Sequence, residues 1–246
     1  NKIQGYNFPQ GVLSQMFRDI AAHKPRTITA VGLGTFVDPR NQGGKMNPLT
    51  TENMIDLIEF DGKEYLSYHT FPIDIAILRG TSADERGNIS LEKEALTLET
   101  QAQAMAVKNS GGKVIVQVER VVKEGTLNPK DVKIPGILVD AVVVGKPENH
   151  WQTYAEQYNP SYSGETKIPM AQIPPLELTI RKIIARRAAM ELRENDVVNL
   201  GIGMPEGIAS VANEEGILDD LTLTAEPGII GGMPAAGLSF GASVNP

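Results

Sequence analysis

The sequence has no cysteine among its 246 residues, and it has only three histidines. Without cysteine the chain forms no disulfide, offers no thiolate nucleophile and binds no metal through sulfur. The histidines, His23, His69 and His150, stand far apart in the sequence. The sequence therefore predicts no metal site and no metal cofactor.

A long hydrophobic run is also absent. The longest apolar run, Ala141–Val144 with its neighbours, is far too short to cross a bilayer, and no basic and then apolar leader opens the chain. We therefore expect a cytoplasmic protein without a membrane partner. Because Asn1 is not a methionine and Pro246 follows a glycine-rich stretch, we also expect further sequence on both sides.

An excess of positive charge is missing as well. The 23 lysines and arginines face 30 aspartates and glutamates, which gives a formal net charge of −7. Nucleic-acid binding needs clustered positive charge, so this balance argues against a nucleic-acid partner. Apolar residues, by contrast, are plentiful: a hydrophobic content of 41% is enough for the core of one large or two smaller α/β domains.

Hydrophobic periodicity predicts helices and strands in the alternating order of an α/β fold. Helices are expected at residues 10–23, 97–108, 177–193 and 205–215. Strands are expected at residues 27–33, 74–79, 88–90, 113–122, 136–144, 196–200 and 221–225. The β-branched runs at 113–122 and 136–144 suit strands that are covered on both faces of a sheet.

Residues 147–175 differ from the rest of the chain because they are polar, contain five prolines and show no sustained period. We interpret them as an interdomain linker. The linker separates a first half, residues 1–146, from a second half, residues 176–246. In the second half a strand, a helix and a strand follow one another, which predicts a parallel sheet with functional groups at the strand ends.

A second irregular segment, residues 34–47, reads GTFVDPRNQGGKMN. Its glycines, proline and asparagines predict neither helix nor regular strand. The simplest interpretation is a solvated surface loop. The alternative is a cover over a ligand pocket.

The first candidate site is a glycine turn between a strand and a helix. Gly201, Gly203 and Met204 follow the strand, and Pro205 opens the helix. Such glycines let the backbone approach a ligand closely, and the N–H groups of the first helical turn attract negative charge. Close packing of strand against helix explains the same glycines equally well. A dinucleotide site is disfavoured because Glu206 stands where a third glycine is needed.

The second candidate is Glu226, which stands where an apolar strand gives way to Pro227 and Gly228. A carboxylate in that position is held rigidly by the strand and is approached freely from the front, which suits a nucleophile. The alternative is an ordinary loop carboxylate paired with an arginine. A third candidate, the basic cluster Arg181, Lys182, Arg186 and Arg187, is most simply the wet face of an amphipathic helix, although a phosphate-rich ligand could use one or two of these side chains.

Several longer stretches resemble family I coenzyme A transferases of the single-chain acetate/propionate type. The stretches that resemble the second half of these enzymes are VVNLGIGMPEGIASVANEEG and LTLTAEPGIIGGMPAAGLSFGASVN. Those that resemble the first half are YNFPQGVLSQMFRDIAAHKP, GLGTFVDPRNQGGKMN, VIVQVERVVKEGTLNPKDVKIPG and VDAVVV. The resemblance implies two open α/β halves, of which the first here lacks its start and the second its end.

The resemblance also implies roles for particular residues. Glu226 corresponds to the catalytic glutamate, which forms an acyl anhydride and then a glutamyl-CoA thioester. Gly201, Gly203, Met204 and Gly228 correspond to backbone of the oxyanion and CoA-binding region. Coenzyme A is then a substrate and no further cofactor is implied. The implied partners are acyl-CoA and short-chain carboxylates such as acetate and propionate, and a homo-oligomer is expected.

Two other functions stay open at the level of sequence. An acyl-CoA hydrolase on the same fold would pass the acyl group to water, and a noncatalytic CoA-binding module would not depend on Glu226. A sugar-phosphate isomerase of related architecture is disfavoured because the histidines are isolated. The acyl group that the site prefers is not determined, since acids that differ by one methylene differ little in binding free energy.

Overall fold

The computed structural model describes residues 2–246 and shows a mixed α/β fold. The four helices are α1 (Gln10–Ala21), α2 (Thr100–Asn109), α3 (Ile180–Ala189) and α4 (Glu206–Glu214). The strands are β1 (Arg26–Thr29), β2 (Ile55–Phe60), β3 (Lys63–His69), β4 (Ile75–Arg79), β5 (Ser82–Asp84), β6 (Ile89–Ser90), β7 (Lys113–Val118), β8 (Arg120–Val122), β9 (Val132–Ile134), β10 (Ala141–Val144), β11 (Val197–Asn199), β12 (Thr222–Ala225), β13 (Ile229–Ile230), β14 (Met233–Pro234) and β15 (Ser243–Val244). Among these elements, no helix is long and apolar enough to span a membrane.

The chain forms two compact units. The first comprises the residues up to Leu78, Glu99–Val116 and Ile134–Val142. The second comprises Arg79–Leu98, Gln117–Lys133 and Val143–Pro246. This grouping differs from the division at the 147–175 segment, because that whole segment belongs to the second unit.

The core of the first unit lies between α1 and the antiparallel sheet β1-β3-β2. Helix α1 buries Val12, Met16 and Ile20, which recur every fourth residue and so share one face of the helix. They pack with Leu66 and Tyr68 of the central strand β3, both fully buried. Strand β3 is central because β1 and β2 pair with its two edges.

A turn with two positive φ angles joins β2 to β3. Asp61 has φ +50° and Gly62 has φ +73°, the pair of left-handed residues that a tight two-residue hairpin requires. The turn sets the register in which Phe60 lies opposite Lys63 and Ile55 opposite Tyr68. Periodicity alone had assigned no element to these residues, although the Asp-Gly pair is a known hairpin signal.

In the second unit the predicted linker is packed rather than extended. Residues 147–175 contain only short 3₁₀ turns, Pro147–Asn149 and Met170–Gln172, in agreement with their irregular composition. Ser161 and Tyr162 are nonetheless buried, and Tyr162 packs against Ala235 and Ala242. The backbone N–H of Asn245 donates to the Ser161 carbonyl at 3.0 Å. The segment therefore supports the glycine-rich end of the chain.

The second unit also contains the predicted strand–helix–strand order. Strands β11 and β12 are parallel, as predicted, and β13 adds to the other edge of β12 in antiparallel orientation. Helices α3 and α4 pack against each other through small residues, and a Cβ added at Gly207 would lie 3.0 Å from the Ala185 Cβ. Both helices belong to the same unit as β12, the strand that leads to Glu226.

Three predicted strands are wrong in extent. The strand expected at 27–33 ends at Thr29, and residues 30–33 form a bend and turns. The run 113–122 is two strands, β7 and β8. The run 136–144 begins with a 3₁₀ turn, and only 141–144 is a strand.

The burial expected for that last strand is wrong as well. Strand β10 is mostly exposed because it is the edge of the sheet β10-β7-β4, so its continuous apolar character does not reflect cover on both faces. Strand β7, at the centre of that sheet, buries Val114, Val116 and Val118.

Candidate active site

Glu226 opens the turn at the carboxyl end of strand β12. Leu223 and Ala225 of this strand are buried, and they alternate with Thr222 and Thr224 as the pleat requires. The turn is closed by a hydrogen bond in which Gly228 N donates to Ala225 O at 2.9 Å. Gly228 has φ +110°, a conformation that L side chains rarely adopt, so this position requires glycine. The buried strand and the closed turn fix the backbone on which Glu226 stands.

The Glu226 side chain is exposed. Within residues 2–246 no hydrogen bond or ion pair reaches its carboxylate. The alternative interpretation of Glu226, a loop carboxylate paired with an arginine, is therefore wrong for the described residues. A carboxylate that stands on a fixed backbone and has no side-chain partner is free to attack an electrophile that approaches from solvent.

The glycine turn at 201–204 lies at the same edge of the sheet as Glu226. Strands β11 and β12 are parallel, with Asn199 opposite Thr224, and Asn199 Nδ2 donates to Thr224 Oγ1 at 3.0 Å. Beyond this pair, the residues that follow β11 lead to Gly201 and the residues that follow β12 lead to Glu226. Because parallel strands end at a common edge, the fold brings the two candidate turns together.

The backbone of this turn is open to solvent. Gly201 and Met204 are exposed, and Gly203 has φ +92° with nothing within 4 Å of the position a Cβ would occupy. The alternative explanation, that Gly203 is needed for close packing of strand against helix, is therefore wrong for this residue. Helix α4 begins just beyond the turn at Glu206, after Pro205.

A cavity of about 480 Å³ adjoins the residues that follow Glu226, within the second unit. Pro227, Gly228 and Ile229 form part of its wall. Polar and apolar groups share the remainder of the wall, and the other lining residues are Leu91, Glu92, Glu94, Ala95, Leu96, Thr97, Leu98, Asp131, Lys133, Tyr162, Ser163 and Pro246. Of the predicted site residues, Gly228 lines this cavity, whereas Glu226, Gly201, Gly203 and Met204 do not.

Two of the acidic side chains in the wall have cationic partners. Glu92 Oε1 accepts hydrogen bonds from Ser82 Oγ at 2.6 Å and from Arg120 at 2.8 Å. Burial opposes ionisation of Glu92, but the hydroxyl hydrogen bonds and the Arg120 charge outweigh it, so the pKa of Glu92 is lowered. Glu94 is mostly buried and has Arg79 Nε 2.8 Å from its Oε2, although the contact is poorly aligned for a hydrogen bond.

Glu94 also contacts the one fully buried histidine among the described residues, His150. Gln117 Nε2 lies 3.1 Å from His150 Nδ1, which makes Nδ1 the acceptor and places the proton on Nε2. His150 Nε2 then donates to Glu94 Oε1 at 3.3 Å. This network stiffens one wall of the cavity. Sequence reasoning missed it because its members are distant in the chain and share no local spacing.

Three of the four basic side chains in the cluster on α3 form ion pairs with acidic side chains. Lys182 pairs with Glu214, Arg186 with Glu215 and Arg187 with Glu191, the last a pair one turn apart on the same helix. The isoleucines that stand between these basic residues, Ile180, Ile183 and Ile184, are exposed as well. Helix α3 instead buries Ala185 and Ala189 against α4.

The 34–47 segment belongs to the first unit and is firmly anchored. The Asp38 carboxylate is buried and accepts hydrogen bonds from the Arg40 side chain, from Arg40 N and from Gly34 N, at 2.8 to 3.0 Å. Val37 reaches the core of the unit. The segment is therefore more than a solvated loop, and its suggested role as a cover stays a prediction.

The geometry of the site limits the chemistry that it can support. A carboxylate that is rigidly held at a parallel strand end, beside an open glycine turn, suits covalent transfer of an acyl group. The described residues hold no group of three or more His, Asp or Glu side chains arranged around a metal position.

The chain belongs to the coenzyme A transferase family, whose model matches residues 1–145. The matched residues do not include Glu226, but similarity to individual relatives extends over the whole chain. A caffeate CoA-transferase of Acetobacterium woodii is 54% identical over 245 residues, which is 99% of this chain and 47% of the relative. The acetate CoA-transferase YdiF of Escherichia coli K12 is 48% identical over 246 residues, which is 100% of this chain and 46% of the relative.

Solved structures of coenzyme A transferases also match the fold of this chain. A crystal structure of the acyl-CoA transferase YdiF apoenzyme of E. coli O157:H7 matches with 46% identity and a TM-score of 0.87, covering 100% of this chain and 46% of that one. A second YdiF structure, described as a thioester complex with CoA, matches with a TM-score of 0.86 and covers 48% of that chain. The chain thus spans about half the length of the relatives it matches.

Proposed function

We propose that the protein containing this chain transfers coenzyme A from an acyl-CoA to a free carboxylate, with Glu226 as the covalent carrier. The observation that carries the proposal is the open Glu226 carboxylate at the end of β12, beside the exposed turn at 201–204. Membership of the coenzyme A transferase family and the YdiF structure described as a thioester complex with CoA support it.

The chemistry proceeds through two acyl transfers on one side chain. A Glu226 oxygen attacks the acyl-CoA carbonyl, the C–S bond breaks, and a mixed anhydride and CoA thiolate form. The thiolate then attacks the Glu226 side-chain carbonyl, which releases the first carboxylate and leaves a glutamyl-CoA thioester. An incoming carboxylate reverses both steps. The first product leaves before the second substrate binds, so the kinetics should be ping-pong.

A carboxylate is a weak nucleophile, so the site must lower the barrier in other ways. The proposal assigns backbone N–H groups of Gly203 and Met204 to the oxyanion that develops during each attack, and it assigns to Gly201 an approach clear of side chains. Gly228 holds the turn from which Glu226 acts. Binding energy from the remote part of CoA can orient the thioester against Glu226.

The proposed substrates are short-chain acyl-CoAs and carboxylates such as acetate and propionate. The names of the two relatives, acetate CoA-transferase and caffeate CoA-transferase, show that acids of very different size are used within this family. We also propose that the chain spans parts of two α/β halves, 1–146 and 176–246, joined by 147–175. The restart of the strand–helix–strand order after residue 175 supports this division.

The test is Glu226→Gln in the intact protein, with Glu177→Gln as the control. Glu177 is exposed, lies in the same unit and has no side-chain partner among the described residues, so its substitution matches the chemical change without touching the site. Transfer of CoA from acetyl-CoA to radiolabelled acetate should fall by at least about 10³-fold in Glu226→Gln, because the amide cannot form the anhydride, and should be unchanged in the control.

Two outcomes would contradict the proposal. If Glu226→Gln retains transfer, the protein binds or transfers CoA without this side chain. If the unmodified protein releases free acid from acetyl-CoA but puts no label into acetyl-CoA, it is a hydrolase.

A further inference from the structure

Helix α3 has apolar side chains on two opposite sides. Ala185 and Ala189 are buried against α4. Ile180, Ile183 and Ile184 share the other side, because they are spaced three and four residues apart, and they are 76%, 60% and 46% exposed. We call these three residues the isoleucine face. Apolar residues on both sides of a helix are typical of a helix that is buried on both sides.

The isoleucine face cannot turn towards α4, because α3 is fixed on its other side. Lys182 of α3 pairs with Glu214 of α4 at 2.5 Å. Arg186 pairs with Glu215, the residue that follows α4, at 3.2 Å. These ion pairs and the buried alanines hold the isoleucine face outward. It leaves water only if another group comes to cover it.

The sheet of the same unit also has an open edge. Strand β11 stands at the end of the order β11-β12-β13, and among the described residues no strand pairs with its other edge. Its sequence, VVN, carries no charge, and Val197 is exposed. An uncharged apolar edge is open to pairing with a further strand. Two independent features of this unit therefore call for further polypeptide.

The charges on α3 argue against a second copy of the same face as the cover. The helix contains four basic residues and no acidic one. In a twofold dimer a surface meets itself, so two such helices would come together, which is unfavourable for like charges. Arg181 in particular has no ion-pair partner among residues 2–246. The isoleucine face therefore fits an apolar segment that carries a carboxylate better than it fits its own copy.

A protein of the length of the relatives has enough further polypeptide to supply such a segment. The chain spans about half of their length, so about half of a protein of that length lies outside it. A patch of exposed apolar residues on one part of such a protein is typical of an interface with another part.

We infer that the isoleucine face is covered, in the intact protein, by a segment of the same polypeptide that lies outside residues 1–246. This segment supplies apolar side chains to the isoleucines and a carboxylate to Arg181. The cover is independent of the role of Glu226, so it goes beyond the proposed function.

Thiol labelling of the intact protein tests whether the face is covered. Residues 1–246 contain no cysteine, so peptide mass mapping identifies a label on a thiol introduced among them. Ile183→Cys places a thiol on the isoleucine face. Glu177→Cys is the control, because Glu177 is exposed, precedes α3 and has no side-chain partner in the described part of the chain.

N-ethylmaleimide should react with the folded protein at least about 100-fold more slowly at position 183 than at position 177, because reaction at a covered thiol requires local opening. In urea the two thiols should react at equal rates. Equal rates in the folded protein would overturn the inference, because the isoleucine face would then be exposed.

Ile183→Asp distinguishes a cover from the same polypeptide from a second copy. The buried aspartate should lower Tm, and the oligomeric mass measured by light scattering should be unchanged. A folded Ile183→Asp protein of lower oligomeric mass would overturn the inference, because the cover would then be a second copy.

Arg181→Gln tests the assigned carboxylate. Its Tm should be lower than that of the unmodified protein, because a carboxylate of the cover loses its cation. Glu177→Gln is the control and should leave Tm unchanged. An unchanged Tm for Arg181→Gln would overturn the assignment of a carboxylate partner. None of these measurements requires CoA or turnover, so failure of the proposed function would leave their results unaffected.

Discussion

At the scale of single residues, the molecule separates structural carboxylates from the candidate nucleophile. Asp38 and Glu92 are surrounded by donors and cations that lower their pKa. Glu226 is instead exposed and reached by no partner in the described part of the chain. Residue type alone does not separate the two kinds of carboxylate, because it does not reveal their partners. What singled out Glu226 was its position between an apolar strand and glycines.

The pairing of Asp38 has a consequence for stability. The Arg40 side chain, followed by the Gly34 N–H, holds the pKa of Asp38 well below its usual range. A carboxyl whose folded pKa is depressed stabilises the fold above its unfolded pKa of about 3.9, and this contribution is lost as pH falls below that value. Asp38→Asn should therefore be destabilising at pH 7, and the difference from the unmodified protein should shrink at pH 3.

Urea unfolding followed by circular dichroism at both pH values measures this. Asp61→Asn is the control, because Asp61 is exposed and its left-handed conformation suits asparagine. A stability difference for Asp38→Asn that is the same at pH 3 and pH 7 would contradict the assigned role of the Asp38 charge.

At the scale of elements, periodicity located helices better than strands. Helix α1 was predicted because its buried residues recur on one face. The run at 136–144 was misjudged because an exposed edge strand can be as apolar as a central one, and only pairing partners tell them apart. The short strands β13 to β15 have two residues each, so no period marks them. For α3 the buried face proved to be alanine, which a hydrophobicity pattern undervalues beside isoleucine.

The hairpin of β14 and β15 depends on one glycine of the motif that follows Glu226. Gly232 has φ +66°, and a Cβ there would lie 2.3 Å from the Val244 carbonyl oxygen. Gly232→Ala should therefore destabilise the protein by at least about 1–2 kcal/mol, from the left-handed conformation alone. Gly11→Ala is the matched change in an open helical position and should leave stability equal or slightly higher. Thermal unfolding of the two variants is the measurement, and an equal effect of both would contradict this account of the hairpin.

At the scale of the whole molecule, sequence reasoning went furthest where the resemblance was longest. The family and the mixed α/β fold are confirmed by the family model and by the YdiF structures. The meeting of Gly201 and Glu226 at one sheet edge also follows from the predicted parallel order. The cavity beside Pro227, Gly228 and Ile229 could not be predicted, because the rest of its wall comes from distant segments that include Leu91, Asp131 and Tyr162. Contacts between segments so far apart depend on tertiary packing, which no local pattern encodes.

The central claim is that residue 226 becomes covalently linked to CoA during turnover. The most direct measurement is peptide mass mapping of the intact protein after incubation with acyl-CoA and borohydride, which reduces a thioester but not a carboxylate. We predict that the peptide containing Glu226 loses the mass that separates a carboxyl group from an alcohol, only when acyl-CoA is present. An unchanged Glu226 peptide, from protein that transfers CoA under the same conditions, would contradict the account.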